Sequence, residues 1–283
     1  MQEENKSTIE FSKPPFSQGG VWLMRSFELF SQRPAFWNSL VIVLFFAFFL
    51  INAIFGAFAP IVIFLLVPFT SSLAIFAAEH LDQKITEPMA QHIQLGIKKH
   101  QQTLLAYGFV CMGFAFILGF IEQFALAAIG IDMTQYSMQN LPPLPIRFKA
   151  MAIGLLIFLP LYLAMFFGCT LILFQGLRPL KALEVSLTTS IACWRPVLGY
   201  SLLLLTLVAV PLILFSWASN LASGAEAIQS LLSLLGMIAF IIFLLIITAV
   251  NMIMAYVAYC DVFGPTIKQD DPNDNDDQVL SEF

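Results

Sequence analysis

Chemistry inside an apolar chain needs a group that can hold charge, and Glu122, in the stretch LGFIEQFALA, is the one carboxylate set well inside an apolar run. An ionisable side chain in a membrane helix is expensive to bury, so it marks a proton, ion or substrate pathway unless a cation satisfies it. Counted from Thr103, Glu122 lies roughly 28 Å along a helix, nearer the far interface than the middle of a bilayer. Arg147 and Lys149 fall on that same side and are its expected partners. Asn251 and Asn52 are the polar groups expected to hydrogen-bond between helices, each contributing roughly 1 kcal/mol at most. Glu122 and Asn251 together form the candidate intramembrane polar site.

Other chemistries find less support. Glu79 and His80 close an apolar run, where water is expected to solvate them. His80, His92 and His100 are the three histidines, and none forms an i, i+4 pair flanking an acid, so no metal site of the HExxH kind is expected. Cys111, Cys169, Cys193 and Cys260 lack CxxC spacing and are expected to be reduced. In the tail DDPNDNDDQVLSE, Asp271, Asn273, Asn275 and Glu282 take positions 1, 3, 5 and 12 of a calcium loop. Asp276 stands where such a loop needs Gly, which favours a solvated acidic tail. There is no GxSxG, no Gly-rich phosphate loop and no carboxylate pair within the apolar runs. Neither a catalytic residue nor a cofactor is expected, and the chain is read as non-enzymatic.

These residues are carried by a chain that is 59% hydrophobic and 11% charged. Soluble domains are about 25% charged, so the solvent for most of this chain is lipid. Apolar blocks cover residues 35–78, 103–128, 150–174, 197–217 and 231–256. The first would reach roughly 66 Å as one helix, about twice the hydrocarbon thickness, so it must turn. Gly56 and Pro60 in GAFAP are the place. The outcome is an all-α, polytopic protein with six transmembrane helices. Pro68, Pro160 and Pro211 are read as kinks. Basic residues cluster on one side of this topology, with only Arg147 and Lys149 on the other, which puts both termini in the cytoplasm. Trp22, Trp37 and Trp194 are expected at the inner interface and Trp217 at the outer one. Scattered, scarce basic residues and a net charge of −5 argue against nucleic-acid binding.

Three amphipathic stretches precede the hairpins. Leu23, Met24, Phe27 and Phe30 form one stripe; Met89, Ile93 and Ile97 a second, behind the TEP start at Thr86; Leu180, Leu183, Leu187 and Ile191 a third. The membrane domain, 18–261, therefore divides into three units of interfacial helix plus hairpin: 18–80, 81–149 with helix four at 150–175 closing it, and 177–260. Residues 1–17 and 262–283 are expected to be disordered cytoplasmic tails. Units one and three share Arg-Pro-x-apolar-x-x-Ser-Leu, at Arg33–Leu40 and Arg195–Leu202. Unit two, with KKHQQTLLAY, lacks the Arg-Pro. Proline cannot continue the hydrogen bonds of a preceding helix, so it separates a helix lying along the membrane from one crossing it. The adjacent arginine can hold the corner at phosphate level. Arg33, Pro34, Trp37, Arg195 and Pro196 are accordingly the candidate corner or lipid-headgroup contacts.

The stretches GGVWLMRSFELFSQRPAFW, RPLKALEVSLTTSIACWRPVLGYSLLLL and YVAYCDVF resemble a family of uncharacterised bacterial inner-membrane proteins with six membrane helices. The resemblance covers most of the chain, and in that family a basic residue is expected where Cys260 precedes Asp261. The three-unit arrangement is also similar to the membrane domain ahead of some bacterial glycerophosphodiester phosphodiesterases, without their catalytic domain. The resemblance implies a six-helix inner-membrane fold and no established activity. Three cytoplasmic amphipathic helices suit contact with lipid or protein, so the expected role of the chain is envelope or lipid-barrier maintenance, as a scaffold for membrane partners. Its expected partners are membrane lipids and a membrane protein or a second copy of itself. The competing expectation is a small-solute or lipid transporter.

Overall fold

The computed structural model describes residues 11–132, 142–221 and 226–264, with the side chains of residues 57, 214–229 and 231–233 outside the description. The acidic tail at 265–283, residues 1–10 and the side chain expected at the outer interface, Trp217, lie outside it. The described residues form α-helices and no strand: α1 (Gln18–Gln32), α2 (Pro34–Phe55), α3 (Ala59–Asp82), α4 (Met89–Ala128), α5 (Leu144–Phe166), α6 (Gly168–Gln175), α7 (Pro179–Ala192), α8 (Trp194–Leu221) and α9 (Glu226–Phe263). Among the described residues, six segments are long and apolar enough to cross a membrane: Pro34–Phe55, Ala59–Asp82, Met89–Ala128, Leu144–Gln175, Trp194–Ile213 and Leu234–Phe263. The chain is thus an all-α polytopic membrane protein, as hydropathy predicts.

Local chemistry sets the boundaries. Arg33 leaves helical geometry at φ −144° and Pro34 opens α2, where its missing N–H costs nothing. The turn between α2 and α3 is a single tight turn at Gly56–Phe58, and Gly56 adopts φ +51°, a conformation that side chains oppose. Cys193 separates α7 from α8, so the third unit breaks three residues before its Arg-Pro proline rather than beside it.

The second unit departs from expectation. No separate interfacial helix forms, because α4 runs without interruption from Met89 to Ala128 over 40 residues, roughly 60 Å. With neither Pro nor an Arg-Pro corner between residues 97 and 103, nothing stops helical hydrogen bonding. The stripe of Met89, Ile93 and Ile97 is instead the first part of α4 and packs on the core. Gly96 permits that approach: a Cβ there would fall 2.5 Å from the Phe76 ring of α3.

Packing is concentrated at one end of the bundle. Residues 74–81 of α3 are all buried, as are Ile253, Met254 and residues 256–259 of α9, so these two helix ends form the centre. Around them lie Leu104, Tyr107 and Cys111 of α4, Phe167, Leu171 and Ile172 near α6, and Tyr200 of α8. Helix α1 lies against α8 and α9, and α7 lies against α5 and α6. The buried face of α1 is Gly19, Trp22, Ser26, Leu29 and Phe30, while Met24, expected in its stripe, is exposed. On α7 the buried residues are Ala182, Leu183, Ser186, Thr189 and Ser190, with Leu180 and Ile191 exposed. Small residues replace the expected apolar stripe because two helices approach closely where side chains are short. At the opposite end, Phe45, Phe46 and Phe49 of α2, Phe120 and Phe124 of α4, and Leu155 and Leu156 of α5 are exposed, the arrangement of helices facing lipid.

The chain entering α1 is also packed. Ser12 donates its backbone N–H to the Val262 carbonyl at 2.8 Å and its hydroxyl to the Asp261 carbonyl at 2.9 Å. Phe11 meets the Phe263 ring at 6.5 Å. Residues 11–17, expected in a disordered tail, are therefore strapped to the end of α9.

Candidate functional site

Four helices bring polar groups together at the packed end. Asp82, the last residue of α3, accepts from Arg25 Nη2 of α1 through both carboxylate oxygens at 3.1 Å, and from the Tyr256 hydroxyl of α9 at 3.0 Å. Partial burial lowers the Arg25 pKa, and the hydrogen bond and charge of Asp82 more than offset that, leaving it raised. One turn earlier, Glu79 meets His92 Nε2 of α4 at 3.1 Å. His80 Nε2 lies 2.7 Å from the Glu87 carbonyl. Asp261, near the end of α9, accepts from Trp22 Nε1 at 2.9 Å and Gln18 Nε2 at 3.1 Å. The Cys193 thiol, which burial pushes up, Lys13 draws back and Asp261 raises further, donates to the Ser12 carbonyl at 3.3 Å.

This seam revises several sequence readings. Glu79 and His80 are each only 8% exposed, because the unbroken start of α4 folds over the end of α3 and excludes the water expected there. Trp22 and Trp37 are buried within the bundle, and among the described tryptophan side chains Trp194 is the exposed one. Trp22 is inside because its indole N–H is held by Asp261, which satisfies the polar end of an otherwise apolar ring. The seam joins α1, α3, α4 and α9 through charge-assisted bonds, each worth more than a neutral one. Among the described residues no group of three His, Cys, Asp or Glu side chains could hold a metal ion.

The candidate intramembrane polar groups are separate from the seam and from each other. Glu122 sits at the α4–α5 contact, where a Cβ on Gly154 would lie 2.6 Å from its Oε1. Its expected pairing with Arg147 or Lys149 does not form among the described residues. Gly154 is seven residues past Arg147, roughly 10 Å along α5, and the Arg147 Nε–H donates instead to the Pro142 carbonyl at 2.5 Å. Asn251 does join two helices, accepting from the Tyr200 hydroxyl of α8 at 2.8 Å. Asn52 does not; it donates to the Phe48 carbonyl of its own helix.

The two Arg-Pro corners form a second arrangement. Arg33 and Arg195 are both exposed, and neither joins an ion pair among the described residues. The Arg195 guanidinium lies 5.8 Å from the Trp194 ring centroid. Pro34 is exposed and Trp37 fully buried, whereas Pro196 is buried. At the third-unit corner, Gly19 of α1 crosses α8 so closely that a Cβ would lie 2.5 Å from the Pro196 carbonyl oxygen. The corner is a packed helix crossing on its inward side, with the guanidinium on its outward side.

Fold and site define a multi-pass α-helical membrane protein whose polar contacts gather at one end of the bundle. No family model, curated protein or solved structure matches this chain.

Proposed function

We propose that this is a non-enzymatic integral protein of the bacterial inner membrane that acts in envelope or lipid-barrier maintenance, as a scaffold for membrane partners, with both termini in the cytoplasm. One observation carries the reading: the spans are knit together at the polar end and leave large apolar faces without protein neighbours over much of their length. Exposed side chains such as Phe49, Phe120, Phe124 and Leu156 are surfaces on which other membrane helices can pack. Glu122 and Asn251 lie in different helix contacts rather than around a shared path, which favours a scaffold over a transporter.

The test is extraction in native membrane patches followed by quantitative mass spectrometry of all that co-purifies. A membrane protein recovered at near-equal abundance is the expected result. Recovery of the chain alone, or with an enriched solute and no protein, overturns the scaffold reading, the latter in favour of transport.

A further inference from the structure

The sequence repeat at the corners has a structural counterpart. A groove of about 430 Å³ lies between α2, α3 and the start of α4, lined by Phe36, Ser39, Val43, Leu73, Met89 and Ile93. A groove of about 620 Å³ lies between α5 and α8, with Leu155, Leu159, Tyr162, Trp194, Leu198 and Ser201 in its walls. Phe36 and Leu198 are the apolar residues of the two repeats, each three positions after its arginine, and Ser39 and Ser201 are the serines, each six positions after it. Both repeats therefore direct the same two positions into a groove. Both volumes fall in the about 300–1,000 Å³ range of sites that take small, mainly apolar ligands.

The occupant follows from the medium and the charge. Both grooves face the lipid-exposed side of membrane-spanning helices and are apolar along their length. Each begins at a corner whose arginine is exposed and has no carboxylate partner among the described residues. Arg195 lies in the first turn of α8, where side chains tilt toward the helix N-terminus, and Arg33 precedes the first residue of α2, so both long side chains can reach out of the bilayer toward phosphate level. Ser201 donates to the Val197 carbonyl at 2.8 Å, which keeps its oxygen available as an acceptor roughly 9 Å along α8 from Arg195. We propose that the two grooves are equivalent sites for an anionic glycerophospholipid. An acyl chain lies in each groove and the phosphate is held by the corner arginine. This goes beyond the scaffold reading and requires no protein partner.

The experiment is native mass spectrometry of the purified protein with phosphatidylglycerol or phosphatidylcholine added to the detergent. The wild type should retain up to two phosphatidylglycerol molecules, with a preference over phosphatidylcholine of about fivefold per site, the fold-change for one cation against an anionic headgroup. Arg33→Ala and Arg195→Ala should each lose one retained lipid, the double variant both, and Lys149→Ala, in the second turn of α5, neither. Ser39→Trp and Ser201→Trp fill the grooves and leave the arginines in place. They should abolish the same two binding events and serve where an arginine variant fails to fold. Equal retention by wild type and double variant, lipid loss without effect of groove filling, or no preference for phosphatidylglycerol overturns the proposal. Because the readout is lipid on the isolated protein, its failure is distinct from failure to find a partner.

Discussion

Removing the Asp82 carboxylate should cost far more than removing the arginine it pairs with. Asp82 holds two partners at nearly the same distance, Arg25 at 3.1 Å and Tyr256 at 3.0 Å, but their surroundings differ. The Arg25 side chain is 44% exposed, so the ion pair belongs to the solvated class worth about 0.2–1 kcal/mol, and after its loss water can solvate what remains. Tyr256 is 1% exposed, and its hydroxyl would be left buried with only the weakly accepting Cys260 sulfur beside it, a penalty of up to about 1–3 kcal/mol. Asp82→Ala should therefore destabilise by about 1–4 kcal/mol and Arg25→Ala by less than about 1 kcal/mol. Tyr256→Phe removes the stranded donor, so Asp82→Ala on that background should cost only the ion-pair share, a coupling of about 1–3 kcal/mol. The assay is reversible unfolding in mixed micelles by increasing dodecyl sulfate, followed by circular dichroism. Additive effects at Asp82 and Tyr256, or an Arg25→Ala cost equal to that of Asp82→Ala, would refute the argument.

Two further outcomes follow from the packing. Gly19→Val should destabilise by about 1–3 kcal/mol in the same unfolding assay, because its side chain meets the α8 backbone rather than a side chain that can rotate away; the wild-type midpoint would count against the close crossing. Cys193, whose thiol burial pushes up, should stay protonated and react with maleimide at neutral pH more slowly than a free thiol until the protein is unfolded, as mass measurement of the adduct will show, whereas rapid labelling of the folded protein would contradict its burial.

Hydropathy made the six spans legible because lipid offers the backbone no partner, which forces long apolar runs into helices. The Gly56 turn and the Arg33–Pro34 corner were legible for the same kind of reason, a local backbone rule with few solutions. The seam was not. Trp22 and Asp261 are 239 positions apart and Arg25 and Asp82 are 57 apart, and no local pattern ties such pairs together. The continuity of α4 escaped because an amphipathic stripe followed by polar residues fits either a separate interfacial helix or the start of a longer one. That ambiguity carried over to Glu79 and His80, whose burial depends on where the first turns of α4 go. The grooves lay half in view, since the repeat showed which residues recur and the fold alone shows that they share a groove.

The unbroken α4 makes it a lever. One piece of about 60 Å joins the Glu122–Gly154 contact near one end to the His92–Glu79 contact at the other, with no hinge between them. A tilt of about 5° about its middle would displace each end by roughly 2.6 Å in opposite directions, enough to part a hydrogen bond at 3.1 Å. The neighbouring span differs, since its helix is interrupted at Phe167, between α5 and α6. A displacement at the Glu122 end is thus carried along α4 to His92, whose ring lies beside that of the buried His80.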